Sequence, residues 1–185
     1  MTSQRLISRE GSVLVVIDVQ DRLLPIIVDK ERLVNNIMKL VEFAKIVNMP
    51  IILTEQYPKG LGRTIKEVKE LLPDVQPIEK TAFNCFSAVP FKEKIRAIGA
   101  STLIIIGIEA HICVCQTALD AVDDYHVCVV SDAVSSHAQE DLATGLERMK
   151  TNGVAIASTD MLMYELIGDA ESEVFKKSRH LLKGK

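Results

Sequence analysis

Tryptophan is absent from this chain of 185 residues, and Phe and Tyr bring the aromatic content to only 4%. So sparse a set argues against a base-stacking platform for single-stranded nucleic acid. The basic footprint of a phosphate-backbone binder is missing as well: 22 Lys and Arg stand against 25 Asp and Glu, a formal net charge of −3. Long apolar runs are lacking. The longest, "VLVVI" and "LIIIGI", are far too short to span a bilayer. The polar opening "MTSQRLISREGS" is not a signal peptide. No nucleic-acid partner, no membrane and a cytoplasmic location are therefore expected. Cys85, Cys113, Cys115 and Cys128 include no CxxC pair and have no HxxxH partner, which speaks against zinc. In a reducing compartment they are thiols. No metal and no cofactor are expected.

No internal repeat, low-complexity tract or linker interrupts the chain, so one domain is expected over 1–185, with a core of about 12–169 and a C-terminal helix of about 171–183. Short apolar runs alternate with helical periodicity. "SVLVVIDVQ" holds five apolar residues without alternation, as in a strand buried on both faces. Between Lys30 and Asn48, Leu33, Ile37, Leu40, Val41, Ala44 and Val47 fall on one helical stripe. Further strands are expected at "PIILTEQ", "VQPIEK", "TLIIIG", "HVCVVSDA" and "VAIAS", separated by helices, one of them running through "CVCQTALDAVDD". Ser136 and Gln139 read as a capping box for the helix reaching Lys150. Repeated alternation of strand and helix predicts a three-layer α/β/α fold, Rossmann-like, with a mainly parallel six-stranded sheet.

On such a sheet ligands bind beyond the carboxyl ends of the strands. Asp18, Glu55, Gln56, Lys80, Asp132 and the stretch from Glu109 to Cys113 stand there. Asp18, Lys80 and Cys113 make a chemically coherent set of carboxylate, ammonium and thiol. Cys113 is expected at a helix N-terminus, where free N–H groups and Lys80 would lower its pKa and hold an oxyanion. The alternative for each is ordinary: a free Cys usually packs, Asp18 caps a turn, Lys80 is solvated. Cys115 and Cys128 read as core, and Cys85 as either core or pocket. Gln20, Leu24, Tyr57, Phe83 and Phe86 lie near strand ends as pocket candidates, with packing the alternative for the aromatics and the favoured reading for Phe86. His111 reads as a polar rim residue or a contact to a neighbouring subunit. Glu55 pairs with Lys59 or Arg63, or else recognises a cationic group.

The segments "VIDVQDRLLP", "EKTAFNCF", "GIEAHICVCQTALDA" and "VVSDAVSS" resemble the isochorismatase-like, or cysteine hydrolase, superfamily, from about Ser12 to Asp169. The look is nearest to its metal-free, isochorismatase domain-containing branch. The resemblance implies an Asp18, Lys80 and Cys113 triad, a non-proline cis peptide at Ile108-Glu109, and oxyanion donors in the N–H groups of Glu109 and Cys113. It also implies a homo-oligomer. "TEQYPKGLGRT" lacks the histidines with which nicotinamidases of this superfamily bind metal. The presence of Cys113 separates the chain from the vinyl-ether-cleaving isochorismatases, which lack it. The expected activity is hydrolysis of a small-molecule amide, imide or ureido compound through a thioester. Alternatives are ether or ester hydrolysis with Asp18 as general acid, and an interaction module that keeps the pocket. A Cys113/Cys115 redox pair ranks last, because side chains two apart on a helix diverge.

Overall fold

The computed structural model describes residues 6–182. The helix expected to run to Lys183 therefore ends outside the described residues. Six strands form one sheet: β1 (Ser12–Ile17), β2 (Ile51–Gln56), β3 (Ile78–Lys80), β4 (Thr102–Ile108), β5 (His126–Ser135) and β6 (Ala155–Ala157). Every pairing is parallel and the order is β3-β2-β1-β4-β5-β6. The helices are α1 (Lys30–Ile46), α2 (Pro58–Leu61), α3 (Lys66–Leu71), α4 (Val89–Ile98), α5 (Cys115–Ala121), α6 (Gln139–Thr151), α7 (Thr159–Ile167) and α8 (Glu173–Leu182).

The apolar runs of β1 and β4 form central strands because both of their faces are covered. Val13, Val15 and Ile17 point to one side, joining Phe91 and Ile95 of α4, Ala118 of α5 and Leu142 of α6. Leu14 and Val16 point to the other, joining Leu33, Ile37 and Leu40 of α1 and Leu162 of α7. Period-two alternation thus divides one uninterrupted hydrophobic strand between two cores.

The direction of winding reverses between β1 and β4, so their carboxyl ends open a crevice at the place where doubly wound sheets take ligands. Gly107 makes the approach close. Its φ is +116°, and a Cβ there would lie 2.1 Å from the Ile17 carbonyl oxygen. Any side chain would push β4 away from the end of β1. The register between β4 and β5 shifts after Ile105, so that Gly107 pairs with Val134 and Ile108 with Ser135. That irregularity carries β5 beyond the expected "HVCVVSDA". It also draws Ser136 away from the expected capping role: α6 is capped by Ala138, without a side-chain bond, and the fully buried Ser136 turns to His111 instead.

Candidate active site

Asp18 follows β1 in the left-handed region, φ 53°, a conformation short polar residues tolerate. Its carboxylate is fully buried. Oδ1 accepts a hydrogen bond from Thr54 Oγ1 at 2.7 Å, and Oδ2 lies 2.6 Å from Lys80 Nζ. Lys80, two strands away at the end of β3, reaches it across β2. Its ammonium also donates to Gln56 Oε1 at 2.7 Å and, more weakly, to the carbonyls of Ala82 and Phe83, each at 3.3 Å. Burial, the largest single influence, would pull the Lys80 pKa down, but the Asp18 carboxylate together with the neighbouring Cys85 and Cys113 outweighs it and the net shift is upward. The ammonium is therefore charged at neutral pH.

Cys113 is buried beside this pair, near the start of the helical stretch that leaves β4. It sits within a π-helical turn, Ala110–Val114, and α5 begins only at Cys115. The peptide bond between Ile108 and Glu109 is cis. The thiol pKa is shifted up, not down: burial is the larger cause, the negative Asp18 adds to it, and Lys80 opposes both. In place of the expected acidified thiol stands a neutral thiol facing a carboxylate. Cys85 is fully buried near the same charges, its N–H bonded to Thr117 Oγ1, and burial pushes its thiol up to about 11. Cys115 and Cys128 lie in the core.

Two residues outside the expected triad complete the polar network: Thr54, not among the residues expected from the sequence, and Gln56, expected only as a strand-end residue. Thr54 holds one Asp18 oxygen, and Gln56 holds Lys80 while its Nε2 donates to the Thr81 carbonyl at 2.7 Å. Their signal in the sequence is the run of three polar residues, Thr54-Glu55-Gln56, that ends an apolar strand. The register then sets Thr54 beside Ile17 and Gln56 beside Lys80.

The pocket candidates divide. Tyr57 lines a groove of about 610 Å³ together with Pro58, Lys80, Thr81, Ala88 and Val89. Its N–H donates to the Lys80 carbonyl at 2.8 Å. Phe83 is 53% exposed and contributes its carbonyl to Lys80. Phe86 packs edge-to-face on Phe91, ring centres 5.0 Å apart. Gln20 is turned inward: its amide donates to the Gln56 and Gly62 carbonyls and accepts from the Gln56 N–H, so its side chain splints backbone. Leu24 folds back through a tight turn begun by the Gln20 carbonyl. It packs toward α1 and borders a separate depression with Lys30 and Glu67. His111 is half-buried, with Nδ1 2.9 Å from Ser136 Oγ. The Glu109 carboxylate turns toward α6, accepting from the His137 N–H at 2.9 Å and pairing with its ring at 2.7 Å. That hydrogen bond raises the His137 pKa.

Other strand-end residues are tied up locally. Glu55 pairs with Arg63 at 2.9 Å and accepts from the Thr64 N–H and hydroxyl. Asp132 accepts from the Thr159 N–H and hydroxyl, fixing the start of α7.

Residues 12–161 match the family model described as the isochorismatase domain. Isochorismatase domain-containing protein 2 of Danio rerio is 35% identical over 178 residues, covering 95% of this chain and 89% of that protein. The secreted isochorismatase effector Isc1 of Phytophthora sojae is 35% identical over 180 residues, covering 94% and 85%. The structure of the MAR1 ribonuclease from Caenorhabditis elegans superposes with a TM-score of 0.90 at 31% identity, over 96% of this chain and 92% of that one. Among the described residues no helix is long and apolar enough to cross a membrane.

Proposed function

The chain belongs to the isochorismatase family of hydrolases, and from that premise we propose that it is a cysteine hydrolase cleaving the C–N bond of a small amide, imide or ureido compound. The observation that carries the reading is the meeting of a buried thiol with a buried carboxylate whose second oxygen is held 2.6 Å from a buried ammonium.

The chemistry follows from that arrangement. Asp18 takes the proton of the Cys113 thiol as the sulfur attacks the carbonyl carbon. The C–N electron pair leaves with nitrogen, which receives the proton back from Asp18. Water, deprotonated by the same carboxylate, then splits the thioester and frees the thiol. Because the resting thiol is neutral, its proton departs together with attack on bound substrate. Lys80 stabilises the negative charge that passes between carboxylate and sulfur, and Gln56 keeps the ammonium aimed. The N–H groups of Glu109 and Cys113 are the oxyanion donors in this scheme. Tyr57 and the apolar wall of the groove beside it receive the acyl portion. Self-association belongs to the same reading, since Tyr57, Phe83 and Val89 leave apolar surface exposed around that groove; sedimentation velocity checks it.

A panel of small amides, ureides, esters and vinyl ethers tests the proposal. Turnover with ammonia release, accompanied by a thioester adduct on Cys113 in quenched samples, is the expected result. Cys113→Ala should lose both. Full turnover by that variant would remove the sulfur from the reaction. Pyruvate release from a vinyl ether, with no adduct, would favour protonation by Asp18. An RNA oligonucleotide belongs in the panel because of how the C. elegans relative is described.

A further inference from the structure

On the α6 side of the turn that carries Cys113, a second set of side chains converges. Glu109 and His111 come from the stretch leaving β4, His137 precedes α6, and Asp141 lies in its first turn. Glu109, His111 and His137 each offer a donor atom within 4.8 Å of the others. Both imidazoles are held at one nitrogen, His111 Nδ1 at 2.9 Å from Ser136 Oγ and His137 Nδ1 at 2.7 Å from Glu109 Oε2. Their remaining nitrogens approach one oxygen: Asp141 Oδ2 lies 3.3 Å from His137 Nε2 and 3.9 Å from His111 Nε2.

Histidines that bind metal typically have one ring nitrogen fixed by an outer partner while the other coordinates. Two bonds of about 2.0–2.1 Å at a tetrahedral angle place their donor atoms roughly 3.3 Å apart. The His137 and Asp141 pair already has that spacing, and His111 Nε2 stands 3.9 Å from the same carboxylate oxygen. The frame is rigid where it matters. A Cβ on Gly145 of α6 would lie 2.9 Å from the His111 Cα, so the helix rests directly on the backbone of that turn. The lack of a side chain at Gly145 fixes the distance between the two halves of the cluster.

We infer that His111, His137 and Asp141 ligate a divalent transition-metal cation of the zinc class, with Glu109 and Ser136 orienting the two rings. The donor set of two imidazoles and a carboxylate, backed by a second carboxylate, suits such an ion. The site is separate from the stretch after β2, and it does not depend on the hydrolase reading. Its effect is mechanical: the ion ties the turn bearing Cys113 to the start of α6.

The test uses the full chain, stripped with a chelator and titrated with Zn²⁺ against a chromophoric competitor. About one equivalent per chain should bind, as site stoichiometry requires. Ser136→Ala should weaken binding roughly 10–100-fold, the usual loss when an orienting partner is removed. His137→Ala and Asp141→Asn should each weaken it further than that. These two side chains are 47% and 43% exposed, so both variants should keep the wild-type circular dichroism. Cys113→Ser should bind zinc as the wild type does. No retained zinc, affinity unchanged in His137→Ala and Asp141→Asn, or zinc lost in Cys113→Ser would each overturn the assignment.

Discussion

The Asp18–Lys80 pair and the His137–Glu109–Asp141 set lie at the same end of the sheet, close along the path from β4 to α6, yet their surroundings differ sharply. The side chains of the first are 1% and 0% exposed, and every polar atom has a protein partner. In the second, His137 is 47% and Asp141 43% exposed. Charges withdrawn from water interact several times more strongly than charges near the surface, and salt hardly screens them. The first cluster is therefore fixed in one arrangement, shielded from exchange with bulk solvent. The second is open to exchange with solvent, whether of a proton or of a cation. One edge of the sheet thus carries a closed charged cluster and, beside it, an open one.

The largest break in this contrast should come from Lys80→Met. It leaves the Asp18 carboxylate buried with its Thr54 bond but no counter-charge, and losing one partner of a buried pair costs about 3–5 kcal/mol. Urea unfolding at neutral pH measures it. The double variant Asp18→Asn with Lys80→Met should recover most of that loss, because no charge then remains inside. A single-variant loss below about 1 kcal/mol, as for exposed pairs, would mean that water reaches the pair and that the two clusters are alike.

The sequence makes the closed cluster far more legible than the open one. The unbroken apolar runs of β1 and β4 announce central strands, and a polar residue directly after such a run has to stand at the sheet's carboxyl edge. Asp18 and the stretch to Cys113 are readable for that reason, and Lys80 only as the end of the short β3. What local reading misses is decided by tertiary partners. Ser136 and Gln139 have capping-box spacing, but the Ser136 hydroxyl is claimed by His111, 25 residues away. Gln20 sits one turn from Asp18 and looks like a pocket residue, yet three backbone groups of the β2 side and the Gly62 loop occupy its amide. Leu24 packs toward α1 and borders a depression apart from the Asp18–Lys80 pair. The Cys113 thiol illustrates the same limit in electrostatics. The start of a helix and a lysine would lower its pKa, but burial together with Asp18 outweighs Lys80.

Glu55 offers an intermediate case that sharpens the contrast. Its carboxylate is buried, but its cationic partner Arg63 is 65% exposed. Burial alone would raise its pKa, yet the bonds from Thr64 and Arg63 prevail and the net shift is downward. A carboxylate with a depressed pKa stabilises the fold above its unfolded value, and that contribution disappears as pH falls through the folded one. Glu55→Gln should therefore cost about 1 kcal/mol at neutral pH, the worth of the charge-assisted bonds after screening at the exposed end. The gap between wild type and variant should close as acid is added below about pH 4. Unfolding curves across that range check it. A gap that widens in acid would reverse the assigned direction of the shift.

The smallest effect is expected at His137. In metal-free buffer at physiological ionic strength, His137→Ala should leave the thermal midpoint within experimental error, although the side chain pairs with both Glu109 and Asp141. Exposed ion pairs of this kind contribute little, because water solvates the separated charges nearly as well. The same pair of proteins compared with Zn²⁺ present should then diverge, since an ion bound only by the native state raises wild-type stability by mass action and cannot do so where a ligand is missing. A large loss in His137→Ala without metal would show that the outer set is held together as tightly as the Asp18–Lys80 pair. The division between a closed and an exchangeable cluster would then have no basis.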